Sequence, residues 1–332
     1  MITKLRTIDL FCGGGGLSLG LSNAGVEVVA AFDNWNAALD IYRRNIPGHP
    51  VECLDLRDSI KAVQVLKNFD CNMIAGGPPC QDFSPAGKRD ESGDHANLTI
   101  SFAEIIGALH PMCFLMENVE RAQNTLPFRQ ALDIFKSAGY GLSVVVLDAS
   151  LCGVPQRRKR VFVFGLFGGN NNVLIPYIQR YQDSKPMSIR DYVGDSFGVE
   201  HYYRHPRSYA RRGVFSIDEP SPTIRGVNRP VPKGYPGHSG DTAPVSDQIR
   251  PLTTKERSIL QTFPKSWDIS GGKAEVEQII GNAVPVKMAE FVGKCILECI
   301  KDSSKLEEFK FDRDGNCLLF EQKKTYKTRT SD

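Results

Sequence analysis

Cys80 stands in a segment whose residue types suit covalent chemistry. It ends the run Gly76-Gly77-Pro78-Pro79-Cys80. Proline fixes φ and stiffens the backbone ahead of the thiol, while the glycines permit a sharp exit from whatever precedes them. A structural cysteine is usually buried on a strand or helix and inert, so it does not need such a scaffold. The segment therefore predicts a rigidly held thiolate nucleophile.

A carboxyl group and two guanidinium groups are candidates for assisting such a nucleophile. Glu117 follows an apolar run, and partial burial there would raise its pKa into the range of a useful proton donor. Asn118 could fix its orientation. Arg158 and Arg160 open another apolar run, where strand alternation sends both side chains to one face. A Glu-Asn-Val triplet alone is more often a helix cap or turn, but its position after a strand favours a chemical role.

The run Phe11-Cys12-Gly13-Gly14-Gly15-Gly16 is typical of a loop that approaches a nucleotide-like ligand closely. Asp33 follows at a distance of about 20 residues, where a carboxylate can bind ribose hydroxyls. Asp55 has a similar place and could accept a hydrogen bond from an adenine amino group, although a helix N-cap is an equally good interpretation. The glycine spacing fits the dinucleotide fingerprint poorly, and a nicotinamide enzyme could look similar.

Short apolar strands alternate with amphipathic helices through the first half of the chain. The predicted strands are residues 5–11, 27–32, 51–54, 72–75, 113–116, 142–147 and 161–166. The predicted helices are residues 17–24, 35–45, 98–109 and 128–138, with 253–261 and 286–300 later. This alternation predicts an α/β, Rossmann-like, mostly parallel sheet with helices on both faces. Ligands of such sheets bind beyond the carboxyl ends of the strands. Each of the candidates Gly13, Asp33, Asp55, Cys80 and Glu117 follows a predicted strand.

The pattern degrades after about residue 168, which predicts a second, smaller and loop-rich domain. We expect a first domain at residues 1–184, the loop-rich domain at 185–267, a return segment at 268–302 that completes the first domain, and a polar tail at 303–332. The helix at 286–300 should then pack against the amino-terminal sheet, with Cys295 and Cys299 as core residues.

Charge and cysteine content restrict the class of protein. Residues 151–260 contain 17 lysines and arginines against 9 aspartates and glutamates, a net charge of +8, so the remainder carries −5 of the total of +3. A basic segment of this kind suits nucleic acid, although a solvated basic face is an equally good interpretation. The nine cysteines include no CxxC pair, which argues against a zinc site and for a reducing cytosol. We expect no metal, no membrane span and no cleavable signal.

Six motifs, in one order, resemble those of the cytosine-5 DNA methyltransferase family. The motifs are Phe11-x-Gly13-x-Gly15-Gly16, Pro78-Pro79-Cys80-Gln81, Glu117-Asn118-Val119, Gln156-x-Arg158-x-Arg160, Leu260-Gln261-x-Phe263-Pro264 and Gly281-Asn282-Ala283-Val284-Pro285. They cover roughly residues 7–170 and 250–300. By this resemblance, Gly281–Pro285 is expected to be a turn that returns to the first domain and contacts the cofactor. The resemblance implies the class I S-adenosylmethionine-dependent methyltransferase fold, and it places the family's target-recognition region in the variable stretch between them.

The resemblance also implies roles for individual residues. Cys80 would attack C6 of a cytosine that has been flipped out of double-stranded DNA, and Glu117 would protonate N3. One of Arg158 and Arg160 would hold the base at O2, for which we favour Arg160, and the other a backbone phosphate. The residues expected to bind S-adenosylmethionine, with S-adenosylhomocysteine as product, are Phe11, Gly13, Gly15, Gly16, Leu17, Asp33, Asn34, Asp55, Leu56, Pro78, Asn282 and Val284. Those expected to contact DNA are Ser84, Lys88, Arg89, Gln156, Arg225 and Arg229.

Three other functions are compatible with parts of the sequence. An RNA cytosine-5 methyltransferase of the same fold would share the chemistry, but the recognition stretch of about 80–100 residues favours DNA. A nicotinamide-dependent oxidoreductase would explain the glycine run but not the Pro-Pro-Cys motif. A DNA-binding protein without activity would be expected to lack the cysteine or the glutamate. The compact length resembles bacterial enzymes paired with restriction endonucleases, so we expect a monomer in the bacterial cytosol or nucleoid, with no stable endonuclease complex.

Overall fold

The structure is a computed structural model that describes residues 4–79, 98–206, 208, 210–303, 310–311 and 317–318. Four predicted site residues, Cys80, Ser84, Lys88 and Arg89, lie outside the described residues. Among the helices in the described ranges, none combines the length and the apolar character that a membrane span requires.

The strands and helices alternate through the first half of the chain, as the sequence predicts. The strands are β1 (Arg6–Leu10), β2 (Glu27–Asp33), β3 (Val51–Cys53), β4 (Met73–Gly76), β5 (Cys113–Val119), β6 (Tyr140–Asp148), β7 (Gln156–Arg157), β8 (Lys159–Phe167), β9 (His201–Tyr203), β10 (Val214–Ser216), β11 (Ser221–Pro222), β12 (Lys310–Phe311) and β13 (Cys317–Leu318). The helices are α1 (Gly16–Ala24), α2 (Asn36–Asn45), α3 (Ser59–Leu66), α4 (Leu98–Leu109), α5 (Leu126–Ser137), α6 (Ile175–Tyr181), α7 (Ile189–Val193), α8 (Thr254–Leu260), α9 (Lys273–Asn282) and α10 (Val286–Ser303).

Seven strands form one mixed sheet in the order β3-β2-β1-β4-β5-β8-β6. The first five are parallel, whereas β8 runs antiparallel to both of its neighbours, β5 and β6. The prediction of a mostly parallel α/β sheet is therefore confirmed. Because β8 is reversed, its first residues lie at the same edge as the carboxyl ends of the parallel strands, and Arg160 pairs with Val119 near the end of β5.

Helices cover both faces of this sheet, as predicted. On one face, α1 and α10 contribute Leu17, Leu21, Met288, Val292 and Ile296 to a buried cluster with the strands. The opposite face is covered by α3, α4 and α5, whose buried residues include Ala62, Phe102 and Phe135. The last long helix thus packs on the amino-terminal sheet, and Cys295 and Cys299 are buried core residues.

Two sequence predictions of local structure were wrong. Glu117 does not follow its strand but lies inside β5, because pairing with β8 extends that strand to Val119. Gly281 and Asn282 were expected in a turn but end helix α9, which the sequence analysis did not identify. Its apolar side chains, Val276, Ile279 and Ile280, pack into the core of the loop-rich part, together with Tyr202 and Phe215.

A chain of hydrogen bonds runs from Asp9, on the strand before the glycine run, to the half-buried His49. Asp9, on β1, is fully buried and accepts a hydrogen bond from Ser18 Oγ at 2.6 Å. The hydroxyl of Tyr42 donates to Ser18 Oγ at 2.7 Å and lies 2.8 Å from Nε2 of the half-buried His49. Within the described residues, no donor reaches the second oxygen of Asp9. Burial, together with the charge of nearby Asp33, raises the pKa of Asp9 to about 7.

The raised pKa of Asp9 predicts a specific pH dependence of stability. Between the ordinary value of 3.8 and about 7, the folded protein retains a proton that the unfolded chain has released, so Asp9 makes folding less favourable as pH rises. Asp9→Asn cannot ionise. It should therefore gain stability relative to the wild type across this window, by a few kcal/mol at most, since one pKa unit corresponds to about 1.4 kcal/mol.

Chemical denaturation at several pH values between about 4.5 and 8 would measure this difference. Asp133→Asn is a suitable control, because Asp133 is exposed on α5 and 77% of its side-chain area is accessible. Its stability should follow the wild-type curve throughout. Parallel curves for Asp9→Asn and the wild type would contradict the assignment of the proton to Asp9.

Candidate active site

A large cleft opens at the edge of the sheet where the parallel strands end. Its volume is about 1140 Å³. The first domain lines it with the loops after β1, β2, β3 and β4, the start of α4, the end of β5 and the start of β8. A segment of the loop-rich part and the end of α9 with the turn that follows complete the lining. The polar and charged side chains along its walls are Asp33, Asn34, Glu117, Asn118, Arg158, Arg160, His205, Thr223, Arg225, Arg229, Gln278 and Asn282.

The glycine run forms one wall and is tied to Asp33. The two carboxylate oxygens of Asp33 accept hydrogen bonds from the backbone N–H groups of Gly13, at 2.8 Å, and Trp35, at 2.9 Å. Burial raises the pKa of Asp33, an effect that these hydrogen bonds oppose. At Gly16 a Cβ atom would lie 2.3 Å from the carbonyl oxygen of Val284, so the close approach of the turn after α9 requires glycine.

Most of the residues predicted to bind the cofactor line this cleft. They are Phe11, Gly13, Gly16, Leu17, Asp33, Asn34, Leu56, Pro78, Asn282 and Val284. Gly15 and Asp55 do not. Gly15 has a φ of +89° and packs against α2, where a Cβ would lie 2.7 Å from Ile46. Asp55 is half exposed, and its carboxylate accepts a hydrogen bond from Arg57 Nε at 2.9 Å. In the structure, Gly15 thus contacts the α2 region and Asp55 forms a local ion pair outside the cleft lining.

Glu117 and Arg160 form a buried ion pair at the other wall. Arg160 Nε lies 2.8 Å from Glu117 Oε1, and their side chains are 13% and 9% exposed. The pairing of β5 with β8 puts the two side chains on one face of the sheet. Burial raises the pKa of Glu117, and the charges of Arg160 and Arg158 oppose this rise. The site therefore holds a carboxyl group that keeps its proton to a higher pH than an exposed glutamate does.

The Gly77–Pro79 backbone lies next to Glu117. A Cβ on Gly77 would be 3.1 Å from Glu117 Oε2, so the chain passes this carboxylate at close range. Asn118 Nδ2 donates to the carbonyl oxygen of Pro78 at 3.1 Å. Asn118 was expected to orient Glu117, but it holds the Pro-Pro segment. Residue 80 follows directly in the chain and lies outside the described residues.

Gln156 and Arg158 are used inside the protein, in contrast to their predicted contacts with DNA. Gln156 is fully buried; its amide nitrogen donates to Gln261 Oε1 at 2.8 Å, and its amide oxygen accepts from Ile224 N at 2.9 Å. Arg158 is 1% exposed and donates to the carbonyl oxygens of Ile224, Gly281 and Ala283 at 3.0, 3.0 and 3.1 Å. Because the Gln156 amide and the two terminal nitrogens of Arg158 are paired inside the protein and excluded from solvent, the geometry does not support a DNA contact for either residue.

The loop-rich part supplies the remaining wall, with Arg225 and Arg229 as predicted from the sequence. Arg225 donates to the carbonyl oxygen of His205 at 2.6 Å. His205 also lines the cleft, and burial together with the charges of Arg229 and Arg225 lowers its pKa. His205, Trp35 and Gln278 were not identified from the sequence. His205 lies in a stretch without periodicity, so no sequence pattern indicated it.

The fold and this arrangement define a class of protein. The sequence matches the family described as C-5 cytosine-specific DNA methylase over residues 5–298. The chain belongs to this family and is a DNA (cytosine-5)-methyltransferase.

Individual relatives and solved structures agree with this membership. The chain is 52% identical over 299 residues to the Type II methyltransferase M.HindV of Haemophilus influenzae, covering 90% of this chain and 98% of the relative. It is also 52% identical over 288 residues to the Type II methyltransferase M.HgiDI of Herpetosiphon aurantiacus, covering 87% and 93%. The crystal structure of S. pombe Dnmt2 methyltransferase has a similar fold, with a TM-score of 0.66 at 19% identity, covering 90% of this chain and 99% of the other.

The contacts of the two arginines predict different effects of their removal. Arg158→Met would remove its hydrogen bonds to three carbonyl oxygens, of which only that of Ala283 keeps another donor within the described residues, Gln261 Nε2, so it should lower the free energy of unfolding by about 3 kcal/mol or more. Arg160→Met should have a smaller effect, because the unpaired Glu117 can take up a proton. Chemical denaturation near pH 6.5 would compare the two variants. Equal losses of stability, or a larger loss for Arg160→Met, would contradict the structural role of Arg158.

Proposed function

We propose that this methyltransferase takes its methyl group from S-adenosylmethionine and transfers it to C5 of a cytosine flipped out of double-stranded DNA. The observation that carries the proposal is a single cleft in which the glycine run with Asp33 faces the Glu117–Arg160 pair. The wall with the glycine run and Asp33 suits a nucleoside-containing cofactor. The wall with Glu117 and Arg160 offers an acid and a cation that can stabilise charge on a bound base. The two sites share one volume, as a direct methyl transfer requires.

The residues of the first wall fit S-adenosylmethionine. Asp33 is fixed by two backbone N–H groups, and its remaining lone pairs can accept hydrogen bonds from ribose hydroxyls. Phe11 and Leu56 provide apolar surface for a purine ring, and Asn282 and Val284 close the site from the turn after α9. When bound there, the cofactor supplies a methyl group on a positively charged sulfur.

Cys80 is the proposed nucleophile. Cytosine C5 is too weak a nucleophile to take a methyl group unaided. Addition of the Cys80 thiolate to C6 forms a carbon–sulfur bond and makes C5 nucleophilic. After methyl transfer, the proton on C5 is lost, the C5–C6 double bond re-forms and the thiolate leaves. The position of residues 77–79 beside Glu117 supports this role, since residue 80 follows at once.

Glu117 and Arg160 are proposed to stabilise the charge that this addition creates. Negative charge moves onto N3 of the base as the thiolate adds to C6. Glu117, with its raised pKa, can donate a proton to N3, and Arg160 can hold the base at O2 while remaining paired with the carboxyl group. For Arg158 we propose a positioning role, since its guanidinium is engaged with backbone carbonyl oxygens.

The loop-rich part is proposed to be the target-recognition domain, at residues 185–267, between the catalytic domain at 1–184 and its completing segment at 268–302. A base inside a duplex cannot reach the sheet edge, so the enzyme should flip it into the cleft. Arg225 and Arg229 at the cleft wall suit DNA phosphates or guanine edges. From the sequence, Ser84, Lys88 and Arg89 are proposed as further DNA contacts.

A protective role in restriction and modification is supported by the relatives, which are named as Type II methyltransferases. We propose that the enzyme acts as a monomer in a bacterial cytosol or nucleoid and methylates the sites of a cognate endonuclease without a stable complex with it. Mass spectrometry of nucleosides after incubation with labelled cofactor tests the substrate class. 5-Methyldeoxycytidine is expected, whereas 5-methylcytidine alone would identify an RNA methyltransferase.

Isothermal titration calorimetry tests the cofactor site. S-Adenosylmethionine should bind without DNA, and Asp33→Ala should weaken binding by about tenfold or more, because a hydrogen bond to a charged group contributes about 1.5–3 kcal/mol. Asp40→Ala, an exposed aspartate on α2, is the control and should bind normally. Asp55→Ala should also bind normally, because Asp55 pairs with Arg57 and does not line the cleft. Unchanged binding by Asp33→Ala would exclude the proposed site.

Covalent trapping tests the nucleophile. DNA synthesised with 5-fluorodeoxycytidine has no removable proton at C5, so enzyme and DNA should stay joined after methyl transfer. The adduct should survive denaturing electrophoresis, and Cys80→Ser should abolish it, because a hydroxyl ionises far less than a thiol near neutral pH. Glu117→Gln should slow its formation, because the amide cannot provide the proton at N3.

Cys53→Ser is the control for trapping, since Cys53 is exposed and distant in sequence from the Pro-Pro-Cys motif. This variant should form the adduct at the wild-type rate. An adduct that persists in Cys80→Ser, or that maps to another cysteine by peptide sequencing, would overturn the mechanism.

A further inference from the structure

Residues 223–229, here called the cleft loop, form most of the wall that the loop-rich part contributes. Arg225, Gly226, Val227 and Arg229 all line the cleft. Val227 is 55% exposed and lies on the open face of the loop. A loop that presents two arginines and an exposed apolar group toward bound DNA must be held in a defined position to recognise a particular sequence.

A buried ion pair lies under the cleft loop. Arg257 on α8 and Glu277 on α9 are paired, and their side chains are 6% and 4% exposed. The two helices thus meet through charges that are almost fully withdrawn from water. Burying two charges costs several kcal/mol, and an apolar pair of similar volume is often as stable or more so. The pair is therefore poorly explained by a contribution to stability alone.

Both members of the pair hold the cleft loop. Arg257 donates to the carbonyl oxygen of Arg225. Glu277 Oε1 accepts a hydrogen bond from Thr254 Oγ1 at 2.7 Å and lies 3.4 Å from Asn228 Nδ2, which also donates to the carbonyl oxygen of Leu252 at 2.8 Å. The arginine fixes the start of the Gly226–Val227 turn, and the glutamate fixes its end.

Helix α9 fixes the turn from below. A Cβ on Gly226 would lie 2.0 Å from Gln278 Oε1 and 3.1 Å from Gln278 Cα, so the loop backbone rests directly on the helix. Two residues before Gly226, the backbone N–H of Ile224 donates to Gln156 Oε1 and its carbonyl oxygen accepts from Arg158. The loop is therefore restrained on its protein side while its other side faces the cleft.

We propose that the Arg257–Glu277 pair positions the cleft loop for DNA recognition and so determines which DNA sites the enzyme methylates. This inference rests on the proposed function of the cleft. Neither residue lines the cleft, so both are positioning residues and not catalytic ones. Their effect should appear in the affinity and selectivity for DNA, while S-adenosylmethionine binding and the chemical step should change little.

The double variant Arg257→Met with Glu277→Leu tests this role, because it replaces the charges by apolar groups of similar volume. The probe is methylation-free plasmid DNA, with methylated cytosines mapped by bisulfite sequencing. We expect KM for DNA to rise about tenfold, kcat to stay within about threefold, and additional, related sites to be methylated. S-Adenosylmethionine affinity, measured by calorimetry, should stay within about twofold.

Two further variants separate positioning from general destabilisation. Arg250→Met with Glu256→Gln removes another ion pair of the same segment, whose contacts are with Phe197 and the start of α8. It should lower the melting temperature without changing KM or the methylated sites. Arg257→Glu with Glu277→Arg restores a pair of opposite charges but places an acceptor against the Arg225 carbonyl oxygen, so it should not restore DNA affinity.

The outcomes distinguish the two levels of the proposal. Wild-type protein that methylates no DNA would refute the proposed function. If the wild type is active, a folded apolar double variant with wild-type KM and an unchanged set of methylated sites would overturn the positioning role. Should the double variant not fold, Asn228→Ala removes the glutamate's contact with the loop at a half-exposed position. It should raise KM severalfold, and wild-type behaviour would contradict the inference.

Discussion

The hydrogen bonds of Arg158 connect the parts of the chain that surround the cleft. Arg158 lies between β7 and β8, and its guanidinium donates to the carbonyl oxygens of Ile224, Gly281 and Ala283. Ile224 belongs to the cleft loop, while the other two belong to the end of α9 and its following turn. Because arginine offers five donors in a planar fork, one side chain can join three backbone segments that are distant in sequence. The placement of the cleft loop relative to the end of α9 depends on this contact.

The reversed strand β8 has a comparable importance for the chemistry. Parallel strands bring only their carboxyl ends to the ligand edge, so residues at a strand's beginning normally lie on the opposite side of the protein. The antiparallel direction of β8 brings its first residues to the ligand edge and puts Arg160 beside Glu117. Glu117 and Arg160, which are 43 positions apart in sequence, therefore lie side by side in the lining of the cleft. Such a pair could not form at this edge if β8 were parallel.

Much of the fold and part of the site could be predicted from the sequence. Apolar periodicity located the seven strands of the large sheet and six of the ten helices among the described residues, because alternation and helical spacing are local properties of the chain. The positions of Asp33 and Glu117 near strand ends then followed from the rule for parallel sheets. The burial of Gln156 and Arg158 could not be predicted, since their partners lie 66 to 125 residues away in sequence. An amide or a guanidinium group can bind DNA or backbone carbonyl oxygens equally well. Only the tertiary contacts show which of these partners Gln156 and Arg158 have.

The site therefore contains two kinds of charged group. Glu117 and Arg160 face the cleft, and their burial shifts protonation in a direction that chemistry can use. Arg257 and Glu277 are buried as deeply but do not line the cleft, and they contact each other, the Arg225 carbonyl oxygen and the Thr254 side chain. The cost of desolvation is similar for the two pairs. The pairs differ in where their polar atoms point: those of Glu117 and Arg160 face the open cleft, whereas those of Arg257 and Glu277 face the backbone of the cleft loop and its neighbours. Burial of a charge thus identifies an important residue, and the orientation of its unpaired lone pairs or protons identifies its role.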